Sequence, residues 1–417
     1  MKEKILTNVR IIDPSQNMDE VGNIIISDKG KIKSIGKNVK ITDASQSAEK
    51  IDLKGNIAIP GIVDMKAFVG EPGFEYKENF RTLSHAALAG GVTSIVTMPN
   101  TKPIIDNVSM VDFIIRRGRD KAKVNLFPCA SITRQTEGNQ MTEFGLLKAR
   151  GIIGFSDVNK TIQNTELMSR VMNYASDIDV LIMQHAEDYE LSKNSCINEG
   201  EVATRLGLQG VSDIAEKIII ERDLSLLSKF PCRYHINQIS SKNSLNVIKK
   251  NKSNGIKFST GVSINNLSLN QNDIGEFRTF LKLSPPLRSE EDRNSLIEGI
   301  KNNLIDVIVS DHIPEDEESK RLPFAQAATG SIGIETLLSL ALELYHNESL
   351  PLEKIIKCLT INPAKILKID KGTLNKGSDA DLCIFDLDKP WVVKAEKLKS
   401  KSKNTAIEDR KLQGKVK

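Results

Sequence analysis

The segment from residue 60 to residue 73 reads Pro60-Gly61-Ile62-Val63-Asp64-Met65-Lys66-Ala67-Phe68-Val69-Gly70-Glu71-Pro72-Gly73. An apolar strand, expected from Ile57 to Val63, runs into this segment and gives way to a turn rich in proline and glycine. Proline fixes φ, and glycine reaches backbone conformations that are closed to other residues, so such a turn gives the strand a sharp exit. Sharp exits of this kind are where a barrel of parallel strands builds its functional site.

Beyond this segment, short apolar strands alternate with amphipathic stretches of helical period, which is typical of repeated βα units and a parallel sheet. The expected strands are Ile57 to Val63, Thr93 to Met98, Val124 to Cys129, Ile152 to Phe155, Val180 to Gln184, Cys232 to Ile236, Ile256 to Ser259 and Val307 to Ser310. The expected helices include Asn79 to Ala89, Asn107 to Arg119, Ile214 to Leu227 and Ile332 to Leu344. Eight strands close a TIM barrel. The sequence therefore predicts an α/β fold with a TIM (β/α)8 barrel over residues 57–368.

Composition and charge exclude several classes of protein. The chain has 417 residues, of which 39% are hydrophobic and 27% charged, as in soluble globular proteins. No apolar run approaches the ~20 residues needed to span a bilayer, and the charged N-terminus does not suit a signal peptide. We therefore expect a cytoplasmic protein with five reduced cysteines. A net charge of +4 is too weak to predict nucleic-acid binding, and the lysine-rich stretch from Lys394 to Lys417 is expected to be a solvated tail.

Motifs at many ordered points resemble those of dihydroorotases, a branch of the amidohydrolase superfamily. The matching motifs are Glu71-Pro72-Gly73, Ala89-Gly90-Gly91-Val92-Thr93, Met98-Pro99-Asn100-Thr101-Lys102-Pro103, Asn198-Glu199-Gly200-Glu201, Pro285-Pro286-Leu287-Arg288, Asp311-His312, Pro323-Phe324 and Thr360-Ile361-Asn362-Pro363-Ala364. The resemblance implies a small composite β-domain built from both chain ends, residues 1–56 and 369–417, beside the barrel. Its C-terminal part is expected to be shortened.

Half of the metal ligands that the resemblance implies are replaced. The family's first barrel strand reads PGxVDxHxHxREPG, with both histidines on zinc, and these positions hold Lys66 and Phe68 here. The sixth-strand histidine is replaced by Gln238. A lysine must lose a proton before it can coordinate a metal, and phenylalanine has no donor atom. Tight zinc binding is therefore not expected.

The other three ligand positions are retained. They are Asp157, the fifth-strand histidine His185, and Asp311, which in active relatives also serves as general base and acid. We hypothesise that the Lys66 ammonium lies between Asp157 and Asp311 and neutralises both carboxylates. The alternative is that Lys66 extends to solvent at the barrel mouth.

The implied substrate contacts are depleted as well. Gly70 stands where the family has the arginine that binds the substrate carboxylate, and Ser284 stands where it has an asparagine. Glu315 replaces a histidine, whereas Asn100 is retained from the substrate-binding set. The loss of metal ligands, together with the loss of the contact to the substrate carboxylate, indicates that the protein no longer turns over substrate.

Two functions remain open from the sequence. The first is a catalytically inactive dihydroorotase homologue of pyrimidine biosynthesis, with Asp311 a vestigial base and Asn100 a vestigial substrate contact. The resemblance implies aspartate carbamoyltransferase as its partner, in a homo- or hetero-oligomer without nucleic acid or membrane. The second is an active dihydroorotase, or another cyclic-amide hydrolase, with a single zinc on Asp157, His185 and Asp311. No cofactor is expected under the first interpretation, and zinc under the second.

Overall fold

A computed structural model describes residues 2–417 as strands, helices and connecting loops. The strands, in chain order, are β1 (Lys4–Asp13), β2 (Met18–Ile26), β3 (Ile32–Gly36), β4 (Glu49–Asp52), β5 (Ile57–Pro60), β6 (Ile62–Ala67), β7 (Val92–Thr97), β8 (Asn125–Ala130), β9 (Gly154–Phe155), β10 (Leu181–Gln184), β11 (Ile197–Asn198), β12 (Gly210–Val211), β13 (Arg233–Ile236), β14 (Ser259–Ser263), β15 (Val307–Val309), β16 (Leu382–Val392) and β17 (Lys411–Val416). The α-helices are α1 (Phe80–Ala89), α2 (Val108–Lys121), α3 (Phe144–Ala149), α4 (Thr165–Asp177), α5 (Tyr189–Ser192), α6 (Glu201–Leu206), α7 (Ile214–Lys229), α8 (Lys242–Ser253), α9 (Ile264–Ser268), α10 (Glu290–Lys301), α11 (Glu317–Arg321), α12 (Leu337–His346), α13 (Leu352–Leu359) and α14 (Ile361–Leu367).

The predicted barrel is confirmed. Its strands pair in the order β6-β7-β8-β9-β10-β13-β14-β15, all parallel in the pairs described. A parallel bridge between Ala67 and His312 brings the last strand back to the first. Buried side chains from several of these strands form one cluster that fills the barrel interior, among them Val63, Met65, Val96, Cys129, Met183 and Val309. The carboxyl ends of the strands therefore meet at one mouth, where such barrels place their sites.

The small β-domain is a second sheet made from both chain ends, in the order β17-β16-β5-β1-β2-β3 with β4 added alongside β1. The strand expected from Ile57 to Val63 is in fact two strands. Residues Ile57–Pro60 pair with β1 and β16 in this second sheet, and the barrel begins only at Ile62. Gly61 lies between the two strands, and a Cβ there would lie 2.0 Å from the Thr93 hydroxyl. An apolar pattern alone cannot reveal this division.

The helices begin where polar side chains cap them. The Asn79 side chain accepts hydrogen bonds from the backbone of Arg81 and Thr82 at the start of α1, and Asn107 does the same for Met110 in α2. Such caps satisfy backbone donors that have no partner inside the helix. The expected starts at residues 79 and 107 were therefore cap residues, whereas α12 begins at Leu337, later than expected.

The lysine-rich C-terminal segment is folded, so the expectation of a solvated tail was wrong. Within it Ala406, Ile407 and Leu412 are buried, and β17 pairs with β16. The lysines point outward while the intervening residues pack inward, as the half-buried face of a strand requires. Among the helices of residues 2–417, none combines the length and apolar character needed to cross a membrane.

Candidate metal-site remnant at the barrel mouth

Lys66 lies at the carboxyl end of β6 and is buried, with 3% of its side chain exposed. The pairing of β6 with β7 shifts register between Asp64 and Ala67, so Met65 packs in the barrel interior while Lys66 reaches the polar mouth. Its ammonium donates to Oε1 of Gln238 at 2.6 Å and to Oδ1 of Asn159 at 2.8 Å.

The same ammonium lies 3.0 Å from Oδ1 of Asp311, which forms a buried ion pair. Three oxygen atoms from three barrel strands or their following loops thus surround one cationic nitrogen. Lys66, Gln238 and Asp311 all occupy positions that the resemblance assigns to metal ligands. The Lys66 ammonium, a cation of the protein itself, therefore lies among the positions that the resemblance assigns to metal ligands.

The hypothesis that Lys66 bridges two acids holds for one of them. Within residues 2–417 no hydrogen bond or ion pair joins Lys66 to Asp157. Asp157 instead accepts the backbone N–H of Ile132 at 2.8 Å and of Thr133 at 3.0 Å, and the Thr133 hydroxyl at 2.5 Å. The alternative, a Lys66 that extends to solvent, was wrong because the side chain is enclosed.

Burial governs the ionisation of Asp157. It raises the pKa of this carboxyl to about 6, although the hydrogen bonds from Thr133 and Ile132 act in the opposite sense. Both oxygens of this carboxylate already accept hydrogen bonds, so a metal ion would have to share an oxygen with these donors.

Asp311 has a backbone conformation that is unusual for a residue with a side chain, with φ at +49°. Non-glycine residues in this left-handed region are uncommon and concentrate at functional sites. The preceding residue holds the strand in place, because the Ser310 hydroxyl and its N–H both donate to buried Asp64 on β6. Burial raises the pKa of Asp64 to about 6.

His185 follows β10 and meets a second altered position. Its Nε2 lies 3.4 Å from the Glu187 carboxylate and 3.5 Å from the Ser284 hydroxyl. Burial acts to raise the pKa of Glu187, but the hydrogen bond and charge of His185, together with Ser192 and Arg288, lower the pKa overall. The other ring nitrogen of His185 is buried without a hydrogen-bond partner in the described residues. The structure therefore brings His185 and Ser284 together and directs His185 toward Glu187.

Gly70 could not carry the arginine that the family has there. Its φ is +75°, and a Cβ at this position would lie 2.4 Å from the carbonyl oxygen of Glu78 and 2.8 Å from that of Phe74. Phe68 is buried, and its ring centroid lies 6.1 Å from that of Phe74. The loop after β6 is thus organised around aromatic packing and a tight turn.

A buried ion pair holds the loop after β6 in place. Lys77 contacts the Glu315 carboxylate at 2.5 Å, and both side chains are largely enclosed. The Lys77 ammonium also lies 5.4 Å from the ring centroid of Phe74. Glu315, which replaces a histidine of the family, therefore anchors the loop that replaces the substrate arginine.

Asn100 remains at the mouth after β7, and its side-chain oxygen is buried without a hydrogen-bond partner in the described residues. An orphaned buried acceptor is uncommon in folded proteins and fits a ligand contact.

Beside Asp157 and Asn159 lies a cavity of about 340 Å³, whose wall also includes Glu187. Its volume is within the ~300–1,000 Å³ of small-molecule sites.

Sequence reasoning missed Asn159 and Thr133. Both follow barrel strands directly, in Ser156-Asp157-Val158-Asn159 and Ser131-Ile132-Thr133, where polar residues at strand ends indicate site residues. That position was the available signal.

The residues present do not fit a catalytic zinc. Within residues 2–417 no group of three or more His, Cys, Asp or Glu side chains is arranged to hold a metal ion. Such a zinc usually has three protein ligands from histidine, cysteine or carboxylate. Here Asp311 is paired with an ammonium, Asp157 with Thr133, and His185 with Glu187.

Comparison with known proteins places these features in a family. Residues 55–244 match the family model described as Dihydro-orotase-like, and residues 325–410 match the one described as Amidohydrolase family. The Dihydroorotase of Ehrlichia chaffeensis is 42% identical over 412 residues, which cover 98% of this chain and 91% of that protein. The Dihydroorotase of Syntrophus aciditrophicus is 39% identical over 412 residues, with 99% and 96% covered.

Solved structures share the architecture at lower identity. The L-Hydantoinase (Dihydropyrimidinase) from Arthrobacter aurescens matches with a TM-score of 0.87 at 24% identity, over 100% of this chain and 94% of that one. A D-hydantoinase matches with a TM-score of 0.84 at 22% identity, over 99% and 93%. Because two relatives of known family align along nearly their whole length at about 40% identity, and the barrel carries the motifs described above, this chain belongs to the dihydroorotase family of the amidohydrolases.

Proposed function

We propose that this protein is a dihydroorotase-family member of pyrimidine biosynthesis that no longer catalyses opening or closure of the dihydroorotate ring. We also propose that it serves as a cytoplasmic structural partner of aspartate carbamoyltransferase. One observation carries the first half of the proposal. The Lys66 ammonium contacts Gln238 and Asp311, at three positions where the family holds metal.

The energetic reason is the loss of activated water. A metal ion lowers the pKa of bound water from about 15.7 to about 7, which is worth nearly nine decades of hydroxide concentration at neutral pH. A lone general base contributes about 10²–10⁴. Asp311, the residue in the position of that base, is held in an ion pair with Lys66. The deficit is therefore too large for useful ring hydrolysis.

The substrate side supports the same conclusion. The family's arginine would form a charge-assisted pair with the substrate carboxylate, an interaction of about 1.5–3 kcal/mol. Gly70 lacks that side chain, and its surroundings leave no room for one. Restoring turnover would need a new loop as well as new ligands.

The partner follows from the family resemblance. Metal-deficient dihydroorotase-like chains in some bacteria associate with aspartate carbamoyltransferase and are needed for its assembly. A complete barrel and a well-packed second sheet beside a stripped mouth suit such a role, because an assembly partner needs its surface and fold but not its catalytic ions. On this proposal the chain forms a hetero-oligomer with aspartate carbamoyltransferase, in which copies of the chain can also contact one another as a homo-oligomer.

A second candidate is an active dihydroorotase, or another cyclic-amide hydrolase, with one zinc. The observation that favours it is that relatives named Dihydroorotase align over nearly the whole chain. It would require Lys66 to leave Asp311, and His185 to leave Glu187, before Asp157, His185 and Asp311 could share a metal.

A turnover assay separates the candidates. Purified protein is assayed for ring opening and closure of dihydroorotate, with added zinc and with chelator, beside the Asp311→Asn variant. The scaffold proposal predicts background turnover in both proteins. Zinc-dependent turnover that chelator and Asp311→Asn both abolish would establish the enzyme instead.

The partner is tested by expressing aspartate carbamoyltransferase from the same cell with and without this chain. The proposal predicts co-elution on size exclusion and carbamoyltransferase activity that depends on the chain. A carbamoyltransferase that assembles and works fully alone would refute it.

A further inference from the structure

The lysine-rich C-terminal segment forms a cavity of about 190 Å³ between the second sheet and the start of α12. Four lysines line it, and one wall is the indole of Trp391. The lysines are Lys394, Lys397, Lys399 and Lys415. None of the barrel-mouth residues described above lines this cavity, so its chemistry is independent of the proposed function.

Most of this positive charge has no anionic partner. Lys394 pairs with Asp409. The ammonium groups of Lys397, Lys399 and Lys415 form no ion pair among residues 2–417, and all three residues are exposed. Cations gathered around a concave surface raise the local concentration of anions there.

The one acidic side chain in the lining, Glu335, can offset at most one of these three charges. One oxygen of Glu335 accepts the backbone N–H of both Lys399, at 2.6 Å, and Ser400, at 2.9 Å. Burial also raises the pKa of Glu335. Its role is to anchor the segment that presents Lys397 and Lys399 to the cavity.

Trp391 gives the cavity a fixed wall. Its indole N–H donates to the Gly414 carbonyl at 3.1 Å and to the Ser339 hydroxyl at 3.3 Å. The Lys415 ammonium lies 5.2 Å from the ring centroid. The ring is thus held in place, with a cation over it at the edge of the cavity.

We propose that this cavity binds a small, multiply charged oxyanion of the phosphate or pyrophosphate class. Its volume corresponds to about six water molecules at ~30 Å³ each. It is below the ~300–1,000 Å³ of sites for drug-sized ligands, so the cavity cannot enclose a whole nucleotide. Three ammonium groups without an ion-pair partner favour a polyanion over a monovalent ion because each can add a charge-assisted contact.

The test uses intrinsic fluorescence, because Trp391 is the single tryptophan of the chain. Inorganic phosphate and pyrophosphate are titrated into the full-length protein at constant ionic strength, with chloride as the reference anion. The proposal predicts a saturable change in emission with phosphate or pyrophosphate, and none with chloride.

A charge-matched pair of variants assigns the signal. Lys397→Gln with Lys399→Gln should raise the half-saturating concentration at least about tenfold. Lys249→Gln with Lys250→Gln, on the exposed face of α8, removes the same charge elsewhere and should leave it unchanged. Absence of saturation in the wild type, or an equal shift in both variants, would overturn the proposal, because the effect would then be general ionic screening.

Discussion

The ammonium nitrogen of Lys66 lies 3.0 Å from Oδ1 of Asp311, and 3% and 4% of the two side chains are exposed. A buried ion pair of this kind contributes little net stability compared with apolar residues, but removal of one partner leaves a buried charge uncompensated. The pair therefore ties the integrity of the barrel mouth to Lys66.

Lys66→Met should destabilise the protein by about 3–5 kcal/mol, since Asp311 would remain buried without its cation. Equilibrium unfolding in urea measures this change. Adding Asp311→Asn to Lys66→Met should recover part of the loss, because the uncompensated charge is gone. Lys249→Met, at an exposed position of α8, is the control and should change stability by no more than about 0.5 kcal/mol. Equal effects of Lys66→Met and Lys249→Met would refute the role given to the pair.

Gly70→Ala should be more damaging than Gly138→Ala, although both glycines have a positive φ, of +75° and +72°. Each substitution incurs the left-handed backbone cost of about 1–2 kcal/mol. Only the Cβ at residue 70 also meets carbonyl oxygens, at 2.4 Å and 2.8 Å, whereas nothing lies within 4 Å of one at residue 138. Thermal unfolding of the two variants compares them directly. Similar melting temperatures would mean that the loop can move aside, and that an arginine could be accommodated.

Lys66→His, Phe68→His and Gln238→His together should create measurable zinc binding. The triple variant removes the internal cation and supplies imidazoles beside Asp311, which reaches the ligand number of a catalytic zinc site. Calorimetric titration with zinc, and the same titration of the triple variant carrying Asp311→Asn, would show the gain and its dependence on the carboxylate. A triple variant that binds no more zinc than the wild type would mean that the backbone at the mouth no longer follows the family's path.

Asp157→Asn should flatten the pH dependence of stability between pH 5 and pH 8. The folded-state pKa of Asp157, about 6, is above its ordinary value of 3.8, so the folded protein binds a proton more readily than the unfolded chain. Stability from this group is therefore fully present only below about pH 3.8 and is lost as the pH rises through about 6. The total is about 3 kcal/mol, of which about 1.4 kcal/mol is lost between pH 5 and pH 8. Urea unfolding of both proteins at pH 5 and pH 8 tests this. The same fall in stability in both would show that Asp157 titrates normally.

The barrel, its strand number and four of its helices could be predicted because alternating apolar strands and amphipathic helices leave a clear periodic pattern. The division at Gly61 could not, because residues 57–63 form one fully buried run without a charged side chain, and only their pairing partners distinguish the two strands. The folding of residues 394–417 was hidden in the same way, since its lysines dominate the composition while Leu412 and Ile407 supply the burial.

At the site, the identity of the changed positions was visible in the sequence, but their partners were not. Lys66 and Asp311 are far apart along the chain, and closure of the barrel brings them into contact. Asp157 was expected beside Lys66. Its carboxylate instead accepts hydrogen bonds from the backbone N–H groups of Ile132 and Thr133 and from the Thr133 hydroxyl. The obstacle at Gly70 depends on a turn made with Phe74 and Glu78, which only the folded loop defines.

Metal content of the native protein, purified without chelator and then dialysed against buffer containing zinc, tests directly whether Lys66 has taken the place of the metal. A barrel mouth whose cation is an ammonium should retain only a trace of zinc, far below one ion per chain. That trace should be unchanged when Asp157, His185 or Asp311 is replaced by alanine. Stoichiometric zinc that survives dialysis and disappears in those variants would contradict the central inference drawn from the Lys66–Asp311 pair.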